Sequence, residues 1–241
     1  MIDVHSHIIP GIDDGARTMD MALAMARQTV DAGVTHLVCT PHIHWGHYDN
    51  TIDTIKAGFL GLREEIIKNG IELNISFAGE VRVSELIPGW MAEKQLPFLG
   101  QHNGKSVLLL EMPHSHIPAG FDNLLRWLQA SKVQPLIPHP ERNRDILKRP
   151  EKIQWLRNQG CLLQVTAGAL TGRFGEQVRD VSLEMLANRQ IDLVASDTHD
   201  TERRPNDMGQ AYVLVSEQVD QEYADKLFKL TPGKIVGVYT A

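Results

Sequence analysis

Cysteine is scarce: Cys39 and Cys161 are the only two among 241 residues. They lie far apart, each inside an apolar run, which excludes a disulfide framework and fits reduced, buried thiols. Neither is followed by the Cys-x5-Arg pattern of a cysteine nucleophile that cradles phosphate, so that route to phosphoester chemistry is excluded too. Basic blocks are also missing. With 24 Lys and Arg against 30 Asp and Glu, the formal charge is −6, which argues against a nucleic-acid partner. No segment approaches the roughly 20 apolar residues of a membrane helix, so no membrane span is expected. The opening MIDVH has neither a basic start nor a long apolar stretch; no signal peptide is expected, and the expected compartment is the cytoplasm. No repeat, low-complexity tract or domain-scale linker interrupts the chain, which predicts one domain over residues 1–241.

What is present is an alternation of short apolar runs with longer amphipathic ones. IDVH, THLVCT, ELNISFAGE, SVLLLEM, QPLIPH, CLLQVT and DLVASD are rich in Val, Ile and Leu. They lack a two-residue period, the pattern of parallel strands buried on both faces. Helical spacing predicts helices over 19–32, 51–69, 119–131, 150–159, 174–189, 206–218 and 221–230, with Gly33, Gly70 and Gly160 as stops. Seven strands alternating with helices predict an α/β fold, a (β/α) barrel one unit short of the common eight. An open, doubly wound sheet is the alternative.

Polar residues gather at the ends of these runs. His5 and His7 close the first, His42 follows the second, Glu80 ends the third and Glu111 the fourth; His139 follows next, then Asp197 and His199. In a parallel barrel the C-terminal strand ends converge on one mouth. Residues two apart on a strand share a face, so His5 and His7 can turn toward one ion, as can Asp197 and His199. One histidine at a strand end is commonly a core or capping residue, but five histidines and three carboxylates at the same end of successive strands point to a metal site. The donors are nitrogen and oxygen with no thiolate, which disfavours a closed structural zinc site and suits Mn2+, Fe or Zn2+ in a catalytic cluster. So many donors exceed the needs of one ion; two or three are expected, with a carboxylate such as Glu80 bridging.

Clustered divalent ions activate water and clamp oxygens in an in-line displacement, the chemistry of phosphate ester hydrolysis. Arg142 and Arg204 offer the planar forks that phosphate oxygens need. His44, Trp45 and His47, with Tyr48, form an aromatic loop just after His42 that suits a flat substrate group. His114 and His116 are expected on a loop, on the substrate side or structural. In IDDG the Asp-Gly step also fits a plain turn, the expected role of Asp13.

The segments DVHSHIIPGIDDG, TPH, AGE, LLLEM, PHPER and SDTH resemble the polymerase-and-histidinol-phosphatase (PHP) superfamily of metal-dependent phosphoesterases. Across essentially the whole chain, order and spacing look most like the bacterial manganese-dependent protein-tyrosine phosphatases of capsule and exopolysaccharide loci, the CpsB/YwqE type. H-S-H-x3-G-x-D-D-G, and S-D-x-H followed shortly by R-P, are specific to that branch. The resemblance implies a distorted (β/α)7 TIM-like barrel carrying a trinuclear centre, with Mn2+ the leading metal. It implies that His5, His7, Glu80 and Asp197 hold a first metal and Glu80, Glu111 and His139 a second. Asp14, His42 and His199 would hold the third. It further implies a metal-bridging hydroxide as nucleophile and Arg142 and Arg204 as phosphate ligands. The implied substrate is the tyrosine-rich tail of an autophosphorylating kinase that controls polysaccharide export. A small-molecule phosphatase of the superfamily, acting on histidinol phosphate or a sugar phosphate, is the alternative. The chain departs from the pattern after His42, with IHWGHYDN, and after Glu80, with VRVSEL; both stretches face the substrate.

Overall fold

The computed structural model describes residues 1–238. Its strands are β1 (Ile2–Asp3), β2 (His36–Cys39), β3 (His42–Ile43), β4 (Asn74–Phe77), β5 (Glu80–Arg82), β6 (Gly100–His102), β7 (Lys105–Glu111), β8 (Val133–Pro138), β9 (Leu162–Thr166) and β10 (Leu193–Ala195). Parallel ladders run β1-β2-β4 and β3-β5-β7-β8-β9-β10, and β6 folds back on β7 as an antiparallel arm. The two ladders are one circuit. Ala78 N donates to Cys39 O at 2.9 Å and Glu80 N to Pro41 O at 3.0 Å, which carries β2-β4 pairing on into β3-β5. Between the first and last strands, Asp197 N donates to His5 O and His7 N to Thr198 O, each at 2.9 Å. Seven strand positions thus run in sequence around a distorted barrel, and the open-sheet alternative falls.

Burial on both faces explains the unbroken apolar runs: every residue of β8 and of 107–111 in β7 is buried. The covering helices are α1 (Met19–Asp31), α2 (Ile52–Lys68), α3 (Ile87–Ala92), α4 (Phe121–Ala130), α5 (Arg144–Lys148), α6 (Glu151–Asn158), α7 (Ala167–Leu170), α8 (Glu176–Ala187), α9 (Met208–Gln218), α10 (Gln221–Asp225) and α11 (Thr231–Val236). In α4, Phe121, Leu125 and Leu128 repeat at helical spacing and are all buried. Each contributes about 1.5–3 kcal/mol by leaving water. Thr18 caps α1 by accepting from Met21 N at 3.3 Å.

The buried carboxylate of Asp3 staples the seam. Its Oδ1 accepts from Ser196 N at 3.0 Å and its Oδ2 from Asn206 Nδ2 at 3.0 Å, tying the chain's start to the segment after β10.

Several expected elements differ in extent. The run 72–80 is two strands, β4 and β5, because the buried Ala78-Gly79 step breaks the ladder. The expected helix 221–230 is α10 followed by a π-helical turn over Lys226–Leu230 that leads into α11. The arm β6 and the short helices α3, α5 and α7 carry too few residues for a period to be read. QPLIPH and DLVASD stop pairing before their last residues, since His139 (φ 37°) and Asp197 (φ 53°) take left-handed backbone. That conformation costs about 1–2 kcal/mol in a residue with a Cβ. Both residues lie in the site described next.

Candidate metal centre

The strand ends, with Asp14 from the loop between β1 and α1, deliver nine candidate donors to one mouth. His5 Nε2 and His7 Nε2 are 3.1 Å apart. Each lies 3.4 Å from Glu80 Oε2 and 3.4 Å from Asp197 Oδ1. Four ligand atoms at about 2.1 Å from a central ion sit about 3.4 Å from one another in a tetrahedron and closer in an octahedron. The spacing is that of a coordination shell. A second group joins Asp14, His42 and His199, with Asp14 Oδ1 3.4 Å from both His42 Nε2 and His199 Nε2; His7 adjoins it. Glu111 groups with His42 and Glu80, and His139 Nε2 meets Glu80 Oε1 at 2.9 Å. All nine residues therefore converge. Glu111 and His139 each reach Glu80, though in separate groups rather than in one set of three.

Orientation comes from the residues behind. His7 Nδ1 donates to Asp13 Oδ2 at 2.7 Å, His5 Nδ1 to Gln164 Oε1 at 2.7 Å, and His199 Nδ1 to Asp197 O at 2.9 Å. Each bond fixes a tautomer that leaves Nε2 lone pairs facing inward, as ligating histidines require. Asp13 also accepts from His42 N and Gly15 N, so it is more than a turn residue. Gly15 is obligatory here: a Cβ would sit 1.9 Å from His7 O. The signal for Gln164 was a lone amide inside an apolar strand; the signal for Arg82 was its two-residue spacing from Glu80. Neither was read. Arg82 Nη1 lies 2.9 Å from Glu111 Oε1.

The electrostatics are those of a site built for cations. Burial opposes ionisation of Glu80, yet the charges of His5 and His42 outweigh it and hold its carboxyl well below the usual range. Burial likewise opposes Asp197, and Arg204 and His5 overcome it. Burial pushes Glu111 up to about 7, reinforced by the neighbouring Glu80 charge. His139 falls to about 3 and His199 to about 4, each chiefly through burial, helped by Arg142 at the first and His7 at the second. Among the described residues, His199 Nε2 is buried without a hydrogen-bond partner, and Glu80 Oε2 faces only imidazole nitrogens, His42 Nδ1 at 2.8 Å and His5 and His7 Nε2 at 3.4 Å. Buried polar atoms are normally satisfied, so an orphaned imidazole nitrogen in a ring of donors that share one carboxylate oxygen fits divalent cations.

Arg142 Nη1 and Arg204 Nη2 both reach Asp197 Oδ2, at 2.5 Å and 2.6 Å. Phe174 lies under the Arg142 guanidinium at 4.6 Å. Among the described residues, Arg204 Nε is buried without a hydrogen-bond partner. The His44–Tyr48 turn stands beside His42, on which Tyr48 stacks with ring centroids 5.4 Å apart. His44 and His47 pack on each other in that turn, while Trp45 projects from it. The His114 ring is 5.2 Å from that of His139 and half-exposed, a loop position at the mouth.

Among known proteins, residues 1–237 match a family described as capsular polysaccharide synthesis, CpsB/CapC. The tyrosine-protein phosphatase YwqE of Bacillus subtilis is 35% identical over 218 residues, 90% of this chain and 85% of that one. A putative tyrosine-protein phosphatase CapC of Staphylococcus aureus is 32% identical over 205 residues, 85% of this chain and 79% of that one. A crystal structure from work on Bacillus subtilis YwqE and Streptococcus pneumoniae CpsB, described as unique metal-dependent tyrosine phosphatases, superimposes with a TM-score of 0.92. It has 31% identity and covers 100% of this chain and 96% of that one.

Proposed function

The chain belongs to the CpsB/CapC family, and from that premise we propose that it is a metal-dependent protein-tyrosine phosphatase. The observation that carries the reading is the ring of His5, His7, Glu80 and Asp197 donor atoms at coordination spacing, with Arg142 and Arg204 converging on the outer oxygen of the same aspartate. His5, His7, Glu80 and Asp197 would hold one ion and Asp14, His42 and His199 another, and Glu111 and His139 would contribute to a third position through Glu80. The nitrogen-oxygen set suits Mn2+, Fe or Zn2+, and the resemblance to manganese-dependent phosphatases favours Mn2+ among them. When bound, such ions supply an activated water and neutralise charge on phosphate oxygens.

The protein's own groups do the rest. Arg142 and Arg204 orient the phosphate, and the unpaired Nε of Arg204 offers it a buried donor. Fixed donors aimed at developing charge are worth more in this enclosed mouth than in water. The His44, Trp45 and His47 turn borders the space left for the tyrosyl ring. Phenolate, with a pKa near ~10, leaves without much help from a general acid. The protein substrate is a phosphotyrosyl chain, with the tail of a bacterial tyrosine autokinase the partner this reading favours. The whole chain acts as one catalytic domain.

Steady-state kinetics on a phosphotyrosyl peptide and on histidinol phosphate test this reading. A kcat/KM at least about a hundredfold higher for the peptide is expected; the reverse ratio would assign the protein to the small-molecule phosphatases.

A further inference from the structure

One cleft outside the centre has walls that phosphate chemistry does not explain. It holds about 300 Å³ and is lined by Trp45, Trp90, Asp53 and Glu93, with Ile43 and Asn50 at its inner side. Those inner residues join it to the centre: Ile43 follows His42, and Asn50 Nδ2 donates to His42 O at 2.9 Å. Trp45 is 63% exposed, yet its turn is pinned by His44 N to Tyr48 O at 3.0 Å and Tyr48 N to His44 O at 2.7 Å. An indole held out to solvent on a rigid turn is a binding surface with little left to lose in ordering. Trp90 faces the same space from α3 and packs on the core. Asp53 in the first turn of α2 and Glu93 at the end of α3 add two carboxylates, and among the described residues no Lys, Arg or His lines the cleft.

We propose that this cleft receives the side chain of an Arg or Lys that flanks the phosphotyrosine in the protein substrate. The proposal rests on the phosphatase reading above. A guanidinium or ammonium over the face of Trp45 gains a cation–π contact while its head meets Asp53 and Glu93. Its aliphatic stem lies on indole and Ile43, the division of labour that long basic side chains favour. An acidic residue at the same position would meet two like charges. The cleft therefore selects among phosphotyrosyl sites, a task the centre cannot perform because it sees only phosphate and ring.

The test compares phosphotyrosyl peptides identical except for Arg, Ala or Glu at each of the three positions on either side of the phosphotyrosine, with the full metal-loaded chain. The expected kcat/KM ratio of Arg to Glu is about tenfold at one position or more. In the Asp53→Lys/Glu93→Lys double variant the preference inverts, which a merely structural role for these exposed residues would not produce. A native ratio near one, or a ratio that charge reversal leaves unchanged, overturns the proposal. A second arm needs no turnover: the fluorescence of Trp45, taken as native minus Trp45→Phe, responds to the unphosphorylated Arg peptide and not to the Glu peptide. If neither phosphopeptide is hydrolysed, the phosphatase reading fails, and this arm still decides the cleft. An Arg-specific response upholds cation capture there, and its absence refutes it.

Discussion

Arg142 and Arg204 donate to one and the same oxygen, Oδ2 of Asp197, at 2.5 Å and 2.6 Å. The other oxygen of that carboxylate faces His5 and His7 at 3.4 Å. Asp197 therefore stands between the imidazole donors of the candidate metal centre on one side and a pair of guanidiniums on the other. Two cations brought this close repel each other unless an anion stands between them. On the phosphatase reading proposed above, a phosphate group arriving at the mouth would meet both forks already aimed.

From that geometry, Arg204→Ala keeps its metal and loses substrate. We expect kcat/KM for an aryl phosphate to fall about 10²–10³-fold, with metal content per chain unchanged by elemental analysis. Depletion of metal in this variant would mean that the guanidinium holds Asp197 in place rather than phosphate.

The His5→Ala/His7→Ala double variant is expected to behave in the opposite way. Its metal content drops and turnover disappears, while far-UV circular dichroism stays native, because both buried imidazoles turn Nε2 into the donor ring and the apolar side chains that pack the barrel are untouched. Unfolding of the variant would assign these histidines to the scaffold.

Metal loading is expected to release protons. Burial disfavours a charged His42, but Glu80 and Asp14 outweigh it and push its pKa up to about 10. The metal-free protein therefore carries that proton at pH 7, and a ligating imidazole cannot. Affinity for Mn2+ rises with pH across the neutral range, and calorimetry in two buffers of different ionisation enthalpy reads the protons expelled. Equal heats in both buffers would contradict this.

Which parts of this were legible in the sequence follows from how each is encoded. Strand ends were, since His5, His7, His42, Glu80, Glu111, His139, Asp197 and His199 interrupt apolar runs at matching places. The circuit of seven strands was legible for the same reason. The left-handed turns at His139 and Asp197 were not: they break local preference, and only tertiary contacts hold them. Asp13 and Gln164 were missed as orienting groups because their partners lie on other segments, and a single sequence does not display such pairings. The break at Ala78-Gly79 was hidden by the apolar residues on either side.

Glu141 supplies a pH-dependent stability term. It is fully buried, and burial pushes its carboxyl up to about 7 although Oε1 accepts from Thr166 N. Between its ordinary value of 4.5 and about 7, the native state keeps a proton that the unfolded chain has lost. Stability therefore declines as pH rises through that window, by about 3 kcal/mol in all, and the term is absent below it. Glu141→Gln removes the term. Urea unfolding at pH 5 and pH 8 is expected to find the variant gaining on the native protein as pH rises; a constant difference would contradict it.

The seam between first and last strands should be as sensitive as the core. Asp3→Ala leaves Ser196 N and His5 N buried without their side-chain acceptor, while Asn206 Nδ2 keeps only Thr29 Oγ1, and each orphan costs about 1–3 kcal/mol. A loss of about 2–4 kcal/mol in chemical denaturation is expected.

The most direct test strips the protein with a chelator and restores Mn2+ in measured steps while hydrolysis of a phosphotyrosyl peptide is followed. Activity should vanish on stripping and return in proportion to two or three ions bound per chain. Full activity in stripped protein, or metal that binds without restoring turnover, would contradict the claim that converging imidazoles and carboxylates hold the cations that cleave the phosphoester.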